Sequence, residues 1–100
     1  MTPSVAGAEP ARSWNLLTNH AHVLIAISRN PDVRQRDIAD AVGVTIGAVQ
    51  KIVTELEHDG YLTHERIGRR NRYHVAVDRT LRHPLETNHT LSDLIAALDE

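Results

Sequence analysis

The sequence predicts an α+β domain: a three-helix core, a two-stranded β-hairpin and one further helix near the C-terminal end. Three observations predict it. Apolar residues recur at helical spacing in four separate stretches. Two short runs rich in β-branched and aromatic residues flank GRRN, a tetrapeptide suited to a tight turn. And 100 residues, 41% hydrophobic with no Phe, one Trp and two Tyr, allow one small domain with an aliphatic core rather than a large β-sandwich.

The first helix is expected within LTNHAHVLIAISRNP, residues 17–31. Thr18 or Asn19 can cap it by accepting a backbone N–H bond. Ala21, Leu24, Ile25 and Ser28 make one face, widened by Val23, Ala26 and Ile27, so this helix is buried on more than one side. Asn30-Pro31 ends it, because the residue before proline avoids the helical region. A short second helix lies in VRQRDIADAVG, 33–43, with Ile38, Ala39 and Val42 at helical spacing and Gly43 as a left-handed stop.

Thr45 is placed to cap a third helix whose stripe Val49, Ile52, Val53 and Leu56 runs i, i+3, i+4, i+7, and Gly60 ends it. YLTHERI (61–67) and RYHVAV (72–77) are the two strands, with Gly68-Arg69-Arg70-Asn71 between them, Gly and Asn being the residues that tolerate positive φ. Residues 78–89 are irregular and contain Pro84. TLSDLIAALDE (90–100) is the last helix, capped by Thr90 with Asp93 in the place of the usual Glu or Gln.

Composition excludes several function classes. With no Cys there is no disulfide framework, thiolate metal site or thiol redox chemistry. No apolar run approaches the roughly 18 residues of a membrane span, and the N-terminus lacks a secretory pattern, so a cytoplasmic, nucleoid-associated protein is expected. Residues 1–12, rich in Ala, Pro and Gly, are expected as a disordered tail, and 13–100 as the domain. The chain carries seven His, but His20 and His22 point apart on their helix and the others are scattered, so no metal or other cofactor is expected. There is no Cys nucleophile, glycine-rich phosphate loop or H-E-x-x-H, so the chain is not expected to be an enzyme.

Charge is informative through its distribution. The chain is formally −2, yet Arg66–Arg72 holds four arginines and no acid. Residues 34–82 carry nine Lys+Arg against seven acids, and the remainder two against six. A loop this basic on an acidic chain is either a solvated turn or a surface that touches a polyanion.

RDIADAVGVTIGAVQKIVTELEHDGYL has the pattern of a helix-turn-helix. Ala39 lets the two helices approach, Gly43 makes the exit, Val44 plugs the turn, and Val49 locks the second helix against the first. With GRRNRY as a wing tip behind it, the chain resembles the winged helix-turn-helix transcriptional regulators of the MarR/ArsR kind over about residues 18–77. That resemblance implies a homodimeric, sequence-specific binder of double-stranded DNA. The recognition helix would read base edges in the major groove, and the wing would reach the backbone or minor groove.

Carried over by position, the resemblance implies outward-facing Thr45, Gly47, Ala48, Gln50, Lys51 and Thr54 on the recognition helix. Gln50 suits adenine, and Lys51 suits guanine or a phosphate. Arg34, Gln35 and Arg36 would contact phosphates, as would Arg66, Arg69, Arg70 and Arg72 on the wing, where arginine also suits a narrow minor groove. Gly47 and Ala48 stand where many relatives have longer polar residues, so base readout is expected to be sparse. Apolar residues outside the helix-turn-helix, namely Trp14, Leu16, Leu17, Leu91, Leu94, Ile95 and Leu98, are expected to form the dimer interface, or else to fold back on the chain's own first helix. The rival functions are a winged-helix protein–protein interaction module and a metal- or ligand-responsive repressor. No small-molecule effector can be named.

Overall fold

The computed structural model describes residues 14–99, and the expected tail over 1–12 lies outside them. The elements follow in the order α1 (Asn19–Arg29), α2 (Gln35–Val42), α3 (Ile46–His58), β1 (Leu62–Ile67), β2 (Arg70–Val75) and α4 (Leu91–Leu98). The α+β architecture is the one expected.

Local chemistry sets the boundaries. Thr18 rather than Asn19 caps α1, its hydroxyl accepting from the Ala21 N–H at 3.5 Å. Gly43 ends α2 at φ 87°, in the left-handed region where a side chain is strained. Thr45 then caps α3, accepting from the Ala48 N–H at 3.0 Å. The hairpin turn is tighter than expected. Ile67 pairs with Arg70, which leaves Gly68 and Arg69 as a two-residue loop. Gly68 takes the positive φ at 63°, as the first position of a type II′ turn requires, and Asn71 lies inside β2.

α1, α2, α3 and the hairpin close on one aliphatic core. Val23, Ile27, Ile38, Val49 and Leu62 have essentially no exposure, and Ala39, Ile52, Val53, Leu56 and both tyrosines complete it. The tyrosine hydroxyls are satisfied: Tyr61 Oη donates to the Thr80 carbonyl at 2.9 Å, and Tyr73 Oη accepts from Gln35 Nε2 at 3.1 Å.

The segment after β2 leaves the body and returns. The Leu81 and Leu91 N–H groups donate to the His89 and Arg79 carbonyls, each at 2.9 Å, and Thr80 pairs with Thr90. α4 starts from a complete capping box, Thr90 and Asp93 each bonding the other's backbone N–H. Its first residue corrects an expectation. Leu91 is 2% exposed inside the chain's own core, and Ile95 packs against that core. The helix folds back on its own chain because Ser92 N–H bonds the Val77 carbonyl, which turns Leu91 inward, and Arg29 Nη2 reaches the Leu98 carbonyl at 3.1 Å. Trp14, Leu16 and Leu98 remain exposed, and Leu17 and Leu94 are half-buried.

Candidate nucleic-acid interface

α3 is divided lengthwise. Val49, Ile52, Val53 and Leu56 face the core, while Thr45, Gly47, Gln50, Lys51 and Thr54 are exposed and Ala48 is half-buried. Among the described residues, no side-chain hydrogen bond or ion pair of the fold engages the side-chain groups of Gln50 or Lys51, so both are available to an outside partner. Thr54 Oγ1 donates to the Gln50 carbonyl at 2.9 Å, leaving its lone pairs outward. With Ala48 N–H capped by Thr45, the N–H groups of Ile46 and Gly47 have no intrahelical acceptor, as at any helix start. A side chain at Gly47 would meet nothing closer than Thr45 Oγ1 at 3.9 Å, so the protein's own packing does not require glycine there. The effect of Gly47 is to leave an open surface beside free N–H groups.

Arginines from two elements converge beside this helix pair. Arg34, at the N-cap of α2 and without a cap bond of its own, lines one cleft together with Arg66, Arg69 and Arg70 of the hairpin. The cleft measures about 450 Å³, and Asp32, Val33, Gln35, Asn71 and Tyr73 form the rest of its wall. Arg36 is exposed on the same helix turn. Arg66 is braced within the hairpin, its Nε donating to the Gly68 carbonyl at 3.2 Å. Arg69 and Arg70 are exposed and, among the described residues, make no ion pair. Four guanidinium groups against one carboxylate, Asp32, around one opening leave a local positive potential that suits a phosphate.

Two expected contacts are placed differently. Gln35 turns its amide inward to the Tyr73 hydroxyl. Arg72 is held by Asp32 of the α1–α2 turn, Nε to Oδ1 at 2.8 Å and Nη2 to Oδ2 at 3.4 Å. The Arg72 hydrogen bond holds the Asp32 carboxyl below its ordinary pKa, with its charge and that of Arg70 adding to the effect against partial desolvation. Arg72 is raised by the same hydrogen bond.

Sequence reasoning missed Asp32, whose partner is 40 residues away, and Ile46, 44% exposed at the head of α3. For Ile46 spacing gave no signal: it stands three residues before Val49 and seven before Val53, in step with the core stripe, and only the fold leaves it exposed at the first helical position. The histidines mostly meet acids: His20 with Glu55 (2.7 Å), His74 with Glu65 (2.8 Å), His89 with Asp93 (3.1 Å), and His64 with Glu57. Among the described residues, no group of three or more metal-ligating side chains is placed to hold an ion, and no helix is long and apolar enough to cross a membrane.

A model of the MarR family matches residues 14–72, from the segment before α1 into the wing. The chain belongs to the MarR family. The MarR side of the MarR/ArsR resemblance is thus the one matched. Among solved structures, this MarR-family chain is similar to the PcaV transcriptional regulator from Streptomyces coelicolor in complex with its natural ligand. They share 25% identity and a TM-score of 0.53 over 60% of this chain and 45% of that one. It has the same fold as Streptococcus pneumoniae FabT in complex with DNA, with 24% identity and a TM-score of 0.54 over 67% of this chain and 49% of that one. The chain thus covers about half the length of each of these structures. A search of the curated proteins finds no match.

Proposed function

We propose that this MarR-family chain is a transcriptional regulator that binds double-stranded DNA in sequence-specific fashion as a homodimer. α3 enters the major groove with Gln50 and Lys51 toward base edges, and the wing and the head of α2 hold the backbone or minor groove. One observation carries the reading: Arg34, Arg66, Arg69 and Arg70 converge on a single cleft of an otherwise acidic chain. Among the described residues, the side chains of Gln50 and Lys51 on α3 have no internal hydrogen-bond or ion-pair partner. The DNA named with FabT, a protein of the same fold, supports the same assignment. Two-fold symmetry would set two recognition helices about one DNA turn apart on a near-palindromic site.

The test is a gel shift on pooled fragments of the source genome, at two salt concentrations, with the chain and with Arg69→Ala/Arg70→Ala. The proposal expects a few retained fragments, binding that weakens steeply with salt as phosphates are released, and loss of binding in a double variant that stays folded. Absence of binding at low salt would contradict it and favour the protein–protein module.

A second reading, a ligand-responsive regulator, is favoured by one feature. A largely apolar groove of about 670 Å³ lies between the segment before α1, the end of α3 and α4, lined by Leu16, Leu17, Leu24, Leu91 and Leu94, with Glu55, Asp59 and Arg82 at its edge. That volume is in the range of small-molecule sites. A compound that fills it would raise the Tm and shift the DNA affinity.

A further inference from the structure

We infer that Asp32 is a positioning residue for the wing: its two-point pair with Arg72 holds the hairpin at the tilt that lets Arg69 and Arg70 share a phosphate backbone with Arg34. The inference rests on the DNA-binding reading above.

The hairpin is joined to the body on two faces. Alternation along β2 sends Tyr73 inward and Arg72 outward, and Tyr73 is buried while Arg72 is exposed. The inner attachment is made on both strands: the Tyr73 N–H bonds the Pro31 carbonyl at 2.9 Å and the Tyr73 hydroxyl meets Gln35, while His64, the cross-strand partner of Tyr73, meets Glu57 of α3. The outer attachment is Asp32, which neighbours Pro31 in the chain. Asp32 is itself held, its N–H donating to Asn30 Oδ1 at 3.1 Å. Both guanidinium bonds run to it, at 2.8 and 3.4 Å.

Among the described residues, no other hydrogen bond joins the outer face of the hairpin to the helices. Bonds on one face alone let a two-stranded ribbon roll about its attachment, whereas bonds on both faces fix its angle. The tip beyond Arg72 has only internal bonds, from Arg66 to the Gly68 carbonyl and to Asn71. The direction of Arg69 and Arg70 is therefore set at the root, where Asp32 adds the outer hold to the inner ones at Tyr73 and His64.

An alternative role for Asp32 has the opposite sign. A carboxylate that only masks Arg72 would weaken DNA binding, and its removal would free one more arginine for phosphate. Asp32→Asn separates the two, because it keeps the size and removes the charge. The pair is exposed on both sides (side chains 47% and 43%), so the fold survives its loss.

Affinity of the chain and of Asp32→Asn for one retained duplex is measured across a salt series. The positioning role expects the variant to bind more weakly although it carries one negative charge fewer. It also expects the log–log salt slope to flatten by about one to two units as wing phosphates are lost. Adding Arg72→Ala to Asp32→Asn is expected to cost little more than either change alone. Amide exchange of residues 70–73, measured without DNA, is expected to accelerate in Asp32→Asn while the Tm barely moves. Equal or tighter binding, an unchanged or steeper slope, or unchanged exchange would overturn the inference. Failure of the parent chain to bind any duplex would overturn the DNA-binding reading itself.

Discussion

Ile46 is the large apolar side chain that the core leaves exposed on α3. It occupies the first helical position of α3, where its backbone continues from the Thr45 cap, yet its side chain stays 44% exposed. An apolar group at the head of a recognition helix suits the methyl group of thymine. Replacing thymine by deoxyuridine in a bound duplex is expected to cost the parent chain about 0.8 kcal/mol per contacted methyl, roughly four-fold in Kd. The Ile46→Ala variant is expected to be insensitive to the same replacement. Equal sensitivity in both would remove Ile46 from base contact. Residue-scale features were partly legible in the sequence. Thr45, Gly43, Gly68 and the Thr90–Asp93 cap act locally, within three or four residues, and pattern alone finds them. The inward turn of Gln35 and the capture of Arg72 by Asp32 depend on segments 38 and 40 residues apart, which no local pattern encodes.

At the scale of elements, the stop and start signals place each helix to within a few residues, because caps and glycines act where they stand. The hairpin loop came out shorter than its composition implied. GRRN contains two residues that tolerate positive φ, and only pairing across the strands decides that Gly68 alone uses it. α4 owes its start to the capping box. Thr90→Ala is expected to destabilise the chain by about 1 kcal/mol, read as a lower urea midpoint with an unchanged m-value.

The same cap carries a pH dependence. Asp93 is held below its ordinary pKa, chiefly by the backbone hydrogen bond from Thr90 and then by His89. Asp59 is lowered by its hydrogen bond with His58 and by Arg82, and Asp32 by Arg72. A carboxyl depressed in the folded state adds stability that is fully present above its unfolded pKa, near 3.9, and is lost as the pH falls through the folded value. Thermal unfolding should therefore be insensitive to these groups above about pH 5 and show falling Tm below about pH 4. Because all three are solvent-facing, the fall is expected to be small. A Tm that rises on acidification through this window would contradict the assignment.

For the molecule as a whole, the fold was legible because an aliphatic chain of this length has few ways to bury its stripes. The destination of the terminal apolar residues was not. Leu91 and Ile95 sit at the same helical spacing as Leu94 and Leu98, and only tertiary packing distinguishes those turned to the chain's own core from those left outside. Trp14, Leu16 and Leu98, 70%, 90% and 39% exposed, are among the exposed apolar residues, Leu85 being another, and are the ones the proposed homodimer would cover. Sedimentation equilibrium is expected to give a dimer for the parent chain and a concentration-dependent shift toward monomer for Trp14→Ala/Leu16→Ala. A monomeric parent at tens of micromolar would confine any association to the DNA.

The proposed division of the surface into a DNA face and a partner face is tested most directly by mapping backbone amide shifts as a retained duplex is added to the labelled chain. Perturbations are expected at 34–36, along 45–54 and at the wing from 66 to 72, with Trp14, Leu16 and Leu98 unaffected at a preformed dimer. Shifts concentrated on the terminal segments, with α3 and the wing silent, would contradict the central claim that recognition helix and arginine wing together form the DNA-binding surface.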